Sequence, residues 1–119
     1  MQLENYIAGT WVKGSGKQTE LTDASTGELI ATTSSGGLDF GAMLNYARET
    51  GGPTLRKMTF PERGRMLKAL AMYLMDRKEE FYQISYRTGA TKADSWVDIE
   101  GGIGNVFANA SLRKQLGNM

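Results

Sequence analysis

"DIEGGIGN" (Asp98–Asn105) sets three glycines within four residues, directly after two acidic side chains. A loop that cradles a phosphate would use such a run, and so would a helix that another element must approach closely. The period around it decides. Trp96, Ile99, Ile103, Val106 and Ala110 recur at helical spacing straight through the glycines. Thr91, with Asp94 three residues later, supplies a start of the capping-box kind. The run is therefore read as the interior of an amphipathic helix, where each glycine costs up to about 1 kcal/mol relative to alanine. Val97, Gly101, Gly104, Ala108 and Ser111 form the opposite, small-residue edge, where a close neighbour would offset that cost. Gly102 lies off this edge.

Upstream, "MTFPERGRMLKALAMYLMDRKEEFYQISYRTG" (58–89) is also helical in period. Thr59 and Glu62 have capping-box spacing, and Pro61 sits in the first turn, where a missing N–H costs little. Met66, Leu67, Leu70, Ala71 and Leu74 make one apolar stripe, which Phe81, Ile84 and Ser85 continue. The segment reads as one long helix or two abutting ones that meet near Met75 to Lys78, and Gly89 ends it. In "LDFGAMLNYARETGG" (38–52), Phe40, Met43, Leu44 and Ala47 share a face, and Gly51, Gly52 and Pro53 are expected to stop that helix.

The first third reads as strands. "NYIAGTWV" (Asn5 to Val12) is a hairpin closed at Ala8-Gly9. "TELTD" and "ELIATT" form a second one around Ser25-Thr26-Gly27, with Gly27 free to take a positive φ. Gly14, Ser15 and Gly16 read as a flexible link, and Ser34 to Gly37 as a small polar loop. The fold class is α+β: two short β-hairpins (1–37), then a helical region (38–119). At the chain's end, Gly117 is the single stop signal.

Composition narrows the function. The 119 residues suffice for one domain, which buries roughly two-thirds of its unfolded surface. Fourteen basic and thirteen acidic residues leave a net charge of +1, with no electrostatic footprint for nucleic acid or an anionic membrane. "ALAMYLM" (Ala69 to Met75) is far short of the about 20 residues of a membrane span. The start "MQLENYIAGT" lacks the pattern of a signal peptide, so the cytoplasm is the expected compartment. There is no cysteine and no histidine. The first absence removes thiolate nucleophiles and disulfides; the second removes the side chain that titrates near neutrality without tuning.

Single motifs fail. "GSGK" (Gly14 to Lys17) has Trp11 where a P-loop needs glycine and Gln18 where it needs Ser or Thr. "GIGNVF" begins like a dinucleotide fingerprint, but its sixth position is Phe107, and helix rather than strand precedes it. Asp94 and Asp98, at i and i+4, make a poor magnesium site without a third ligand and are better explained by the helix macrodipole. "NAS" (Asn109 to Ser111) matches a glycosylation pattern without a secretory signal. "DRKEEF" is read as a solvated helix face, and Trp11 and Trp96 as packing anchors.

Taken in order, "YIAGTWV", "DASTGELIATT", "MTFPERGRMLKALAMYL" and "RTGATKADSWVDIEGG" resemble the N-terminal segment of the aldehyde dehydrogenase superfamily. Ala24 departs from the proline common there. "TGATKADSWVDIEGGIG" resembles one branch, in which an NADP-dependent dehydrogenase is fused to a hydratase-like domain that opens an oxepin-CoA ring in phenylacetate degradation. The resemblance implies an NAD(P)-dependent oxidation of a CoA-linked semialdehyde by the parent protein. The family's cysteine nucleophile, activating glutamate and oxyanion-holding asparagine come later in the chain, so no catalytic, cofactor or metal residue is assigned here. NADP or NAD belongs to the parent enzyme rather than to this segment. The last helix resembles one that lines the aldehyde tunnel in relatives, which implies a wall at Glu100, Ile103 and Phe107; ordinary helix–helix packing is the alternative. The implied partners are the remainder of the dehydrogenase domain and further copies in a homo-oligomer, with no nucleic acid and no membrane. An isolated segment is expected to self-associate through its apolar faces. A free-standing helical assembly module is the competing reading.

Overall fold

The computed structural model describes residues 1–116. The stop signal expected at Gly117 lies outside them. The chain divides into two compact units, Met1–Thr54 and Leu55–Met119.

In the first unit, β1 (Asn5–Ile7) pairs antiparallel with β2 (Thr10–Val12), with Tyr6 opposite Trp11. Ala8 (φ 49°) and Gly9 (φ 84°) both take positive φ, as a tight hairpin turn whose twist matches its strands requires. The Tyr6 and Trp11 rings lie 5.0 Å apart, yet both side chains are exposed, so Trp11 is not the packing anchor expected of it. β3 (Thr19–Thr22) pairs antiparallel with β4 (Leu29–Thr33) across a bulge at Leu21/Thr22. Its turn is held by Asp23, whose Oδ1 accepts the Ser25 and Thr26 amides at 2.8 and 3.1 Å. Gly27 there has φ 76°, as its sequence position suggested.

The link Gly14–Gly16 is fixed rather than flexible. The Ser15 amide donates to the Gly36 carbonyl at 2.8 Å, and the buried Ser34 hydroxyl donates to the Ser15 carbonyl at 2.7 Å. A side chain at Gly14 would run into the Ser34 backbone, so glycine serves there for close approach. Asn5 Nδ2 also donates to the Ser34 carbonyl, at 2.9 Å, which ties the two hairpins together.

α1 (Phe40–Tyr46) starts on Asp39, whose side chain accepts the Ala42 amide. Gly51, Gly52 and Pro53 do not stop this segment. A π-helical turn (Ala47–Gly51) leads into α2 (Gly52–Arg56), and Gly52 keeps helical φ/ψ of −59° and −54°. The Gly52 amide donates to the Ala47 carbonyl, five residues back, and Pro53 falls in the first turn of α2, where a missing N–H costs little, so the chain shifts its hydrogen-bond pattern instead of ending the helix.

The second unit packs four helices. α3 (Phe60–Asp76) carries the full capping box: Thr59 accepts the Glu62 amide, and Glu62 accepts the Thr59 amide. α4 (Lys78–Tyr86) abuts it across Arg77, whose φ of −110° breaks the helix where the sequence allowed a junction. Gly89, at φ 87°, closes α4. α5 (Lys92–Ser111) runs unbroken through the glycines, capped by Thr91. α6 (Arg113–Leu116) is a short final turn.

The faces turned inward differ in part from the expected stripes. On α3, Gly64 and Ala71 are buried and Leu67 and Leu74 half-buried, while Met66 and Leu70 stay exposed. On α4, Tyr82 is buried and Ile84 exposed. On α5 the inner line is Ser95, Ile99, Ile103, Val106 and Ala110, and Trp96, next to Ser95, is outside. Two small residues, Gly64 and Ala71, let α5 come close to α3. A Cβ at Gly64 would lie 2.8 Å from Arg113 side-chain atoms and 2.9 Å from the Ala110 carbonyl oxygen.

Candidate functional site

The polar centre of the helical unit lies between α4 and α5. Glu100 uses both carboxylate oxygens there: Oε1 accepts from Lys78 Nζ at 3.0 Å, and Oε2 accepts from the Tyr82 hydroxyl at 2.5 Å. Lys78 opens α4 and Tyr82 follows four residues later, so the two point along one face toward α5. The hydroxyl and ammonium donors hold the Glu100 carboxyl below its ordinary range. Burial, with the Glu100 carboxylate alongside, pushes the Tyr82 phenol up to about 12. The Tyr82 ring is buried and stands 6.1 Å from that of Tyr86.

These groups floor an open groove of about 590 Å³, with Glu79, Lys92, Ala93 and the exposed Trp96 on its walls. Because both oxygens of Glu100 and the Tyr82 hydroxyl are already engaged, the cluster holds two helices in register rather than presenting a free acid or base. A second polar tie lies beside it: Ser95, fully buried, and Ser85 share a hydrogen bond of 2.8 Å between their hydroxyls.

Of the three residues singled out on α5, Glu100 joins this cluster, Ile103 is 5% exposed, and Phe107 is half-buried. Lys78, Tyr82 and the Ser85–Ser95 pair were not singled out as a site. Ser85 lies in the expected apolar stripe, whereas Lys78 belongs to the "DRKEEF" run expected to be a solvated face and is instead half-buried against Glu100. Asp94 and Asp98 lie on an open surface with Gly101, Gly102 and Asn105. Among the described residues no group of three or more His, Cys, Asp or Glu side chains could hold a metal ion. No helix among them is long and apolar enough to cross a membrane.

A dinucleotide does not fit the glycine run. Gly101, Gly102 and Gly104 sit mid-helix, where their amides serve the helix ladder and cannot cradle a pyrophosphate. An ideal Cβ at any of the three meets nothing within 4 Å, so no neighbour among the described residues needs their smallness.

Residues 11–118 match the model of the aldehyde dehydrogenase family. The chain belongs to that family. Its fold is that of an N-terminal piece of an aldehyde dehydrogenase, α+β with two strand pairs ahead of the helices. Over 118 residues, or 98% of the chain, it is 40% identical to a 3,4-dehydroadipyl-CoA semialdehyde dehydrogenase of Aromatoleum evansii. Over 103 residues, or 85% of the chain, it is 32% identical to malonate-semialdehyde dehydrogenase 1 of Oceanobacillus iheyensis. The chain spans only 23% and 21% of the lengths of these relatives.

Proposed function

We propose that this chain is the N-terminal segment of an NAD(P)-dependent aldehyde dehydrogenase that oxidises a CoA-linked semialdehyde in the catabolism of an aromatic acid such as phenylacetate. The observation that carries this is the 40% identity, across nearly the whole chain, to a dehydrogenase named for a CoA-linked semialdehyde. The exposed apolar side chains support it. α1, the π-turn and α2 bury no residue, and Phe40, Leu44, Met72, Tyr73 and Val97 are each more than half exposed. Such faces suit a segment that the rest of a larger domain covers.

The role of the 119 residues on this reading is structural. They carry no cysteine for the thiohemiacetal, and the glycine run that resembles a dinucleotide loop is helical. Of Glu100, Ile103 and Phe107, Phe107 has the most apolar surface left to line an aldehyde tunnel, since Glu100 is spent on Lys78 and Tyr82 and Ile103 is buried. The assembled enzyme acts in the cytoplasm as an oligomer.

The test compares two proteins: the 119 residues alone and the product of the complete reading frame that holds them. Reduction of NADP or NAD is followed with a CoA-linked semialdehyde and with a simple aldehyde. Turnover by the longer product alone is expected. Turnover by the 119 residues, or a reading frame that stops at Met119, would overturn the proposal, and the second result would favour an assembly module.

A further inference from the structure

Arg63 meets no carboxylate among the described residues. It lies on the first turn of α3, half-buried, with its guanidinium carbon 5.4 Å from the Phe60 ring centroid. One Nη2–H donates to the Leu55 carbonyl, while the Nε–H is shielded from water and meets no acceptor. Among the described residues the ion pair formed is Lys78–Glu100, so no carboxylate there serves Arg63. A guanidinium has five N–H donors in a fixed fork, and this one is already oriented by a carbonyl and a ring with donors left over. Phe60 and Leu55 beside it are each 42% exposed. An oriented arginine amid half-exposed apolar side chains is the usual make-up of an interface anchor.

We propose that Arg63 anchors the carboxylate of an Asp or Glu side chain on polypeptide outside residues 1–116, docked over Leu55 and Phe60. The relatives are several times longer than this chain, so their fold has polypeptide to fill that role. A carboxylate matches the arginine fork in a bidentate, charge-assisted pair, which a neutral carbonyl cannot do. The inference rests on the reading under Proposed function in one respect: it needs a longer protein.

The experiment uses the product of the complete reading frame and its Arg63→Gln and Arg63→Lys variants, with amide hydrogen exchange read by mass spectrometry. In Arg63→Gln, a segment beyond residue 116 that carries Asp or Glu should exchange about tenfold faster, the scale of losing a charged pair, while α3 itself is unchanged. Arg63→Lys keeps the charge without the fork and should fall between; it carries the same readout if Arg63→Gln does not fold. Faster exchange confined to residues 55–76, or no change anywhere, would overturn the proposal. So would protection of residues 55–63 by inorganic phosphate that Arg63→Gln abolishes, since that would make the acceptor a free anion. A reading frame ending at Met119 removes the dehydrogenase reading as well, whereas an unmoved exchange profile in a longer protein removes this inference alone.

Discussion

Replacing Gly64 by alanine should destabilise this chain, whereas the same change at Gly101 should stabilise it. Both glycines are interior to helices, so alanine gains about 1 kcal/mol of helix propensity at each. At Gly101 that gain stands alone, because nothing among the described residues lies within 4 Å of the new methyl. At Gly64 the methyl would sit 2.8 Å from Arg113 Cβ and Cδ and 2.9 Å from the Ala110 carbonyl oxygen. Carbon atoms pack best at about 3.5–4.0 Å, so the shortfall is about 0.7 Å or more. The Arg113 stem can swing, but its Cβ moves only with α6 and the Ala110 carbonyl only with the end of α5. Overpacking of this kind costs about 1–3 kcal/mol. The propensity gain is common to both variants and cancels in their difference, which is the overpacking cost itself. Urea unfolding followed by far-ultraviolet circular dichroism measures it. With a slope of about 1–1.5 kcal/mol per molar, a 2 kcal/mol difference separates the midpoints by about 1.5 M. Equal midpoints for the two variants would refute the close approach of α3 to the end of α5.

Further outcomes follow from the same contacts. Ser85→Ala should cost about 1–2 kcal/mol by leaving the buried Ser95 hydroxyl without its partner, and the Ser85→Ala/Ser95→Ala pair should cost less than the sum of the single changes, which a double-mutant cycle of unfolding free energies checks. Thr59→Ala removes the N-cap of α3 and should cost about 1 kcal/mol, read as a lower thermal midpoint. Tyr82, with its folded pKa raised to about 12 from an ordinary value of 10, contributes stability that is complete below pH 10 and is lost as pH rises toward 12. In an alkaline absorbance titration of the folded chain, one tyrosine should therefore ionise near pH 12, and that step should vanish in Tyr82→Phe. Glu100 has the opposite sign: its folded pKa is depressed, so its contribution is present above the ordinary carboxylate range and lost as pH falls through the depressed value. Glu100→Gln should flatten the acid limb of stability against pH.

Local signals carried far in this sequence where the partner of each group lies within a few residues. Thr59 and Glu62 complete their own box, Thr91 caps α5, and Gly27 and Gly89 take the positive φ that their turns need. Each of these is settled within one turn of chain. The inward faces were harder to read, because burial depends on what lies opposite. Met66 and Leu70 are as apolar as Leu67 and Leu74, yet the inner line of α3 follows the small residues Gly64 and Ala71, which set how close α5 can come. The Gly51-Gly52-Pro53 stop failed for a related reason: a π-turn offers a route past proline that a rule built on α-helical bonds does not consider.

The candidate site was legible to the extent of Glu100 alone. Its partners Lys78 and Tyr82 lie 22 and 18 residues away, and nothing in the local pattern of α4 marks them. The apolar excess of the exposed faces follows from the same physics. Trp96, Val97 and Ile84 are each more than half exposed, and Gly101, Gly102 and Gly104 have no neighbour among the described residues that needs their bareness. Such a helix gives up about 1 kcal/mol at each of three glycines without a contact among the described residues in return, which either an element outside them or no packing constraint would explain. Gly104→Leu separates the two origins. Among the described residues a Cβ at Gly104 meets nothing within 4 Å, so the change should be tolerated in the 119 residues alone; in the complete protein, a collapse of folding or assembly would show that another element packs against that edge. Tolerance in both would leave the glycines without a structural cause and would weaken the case that this helix is covered at all.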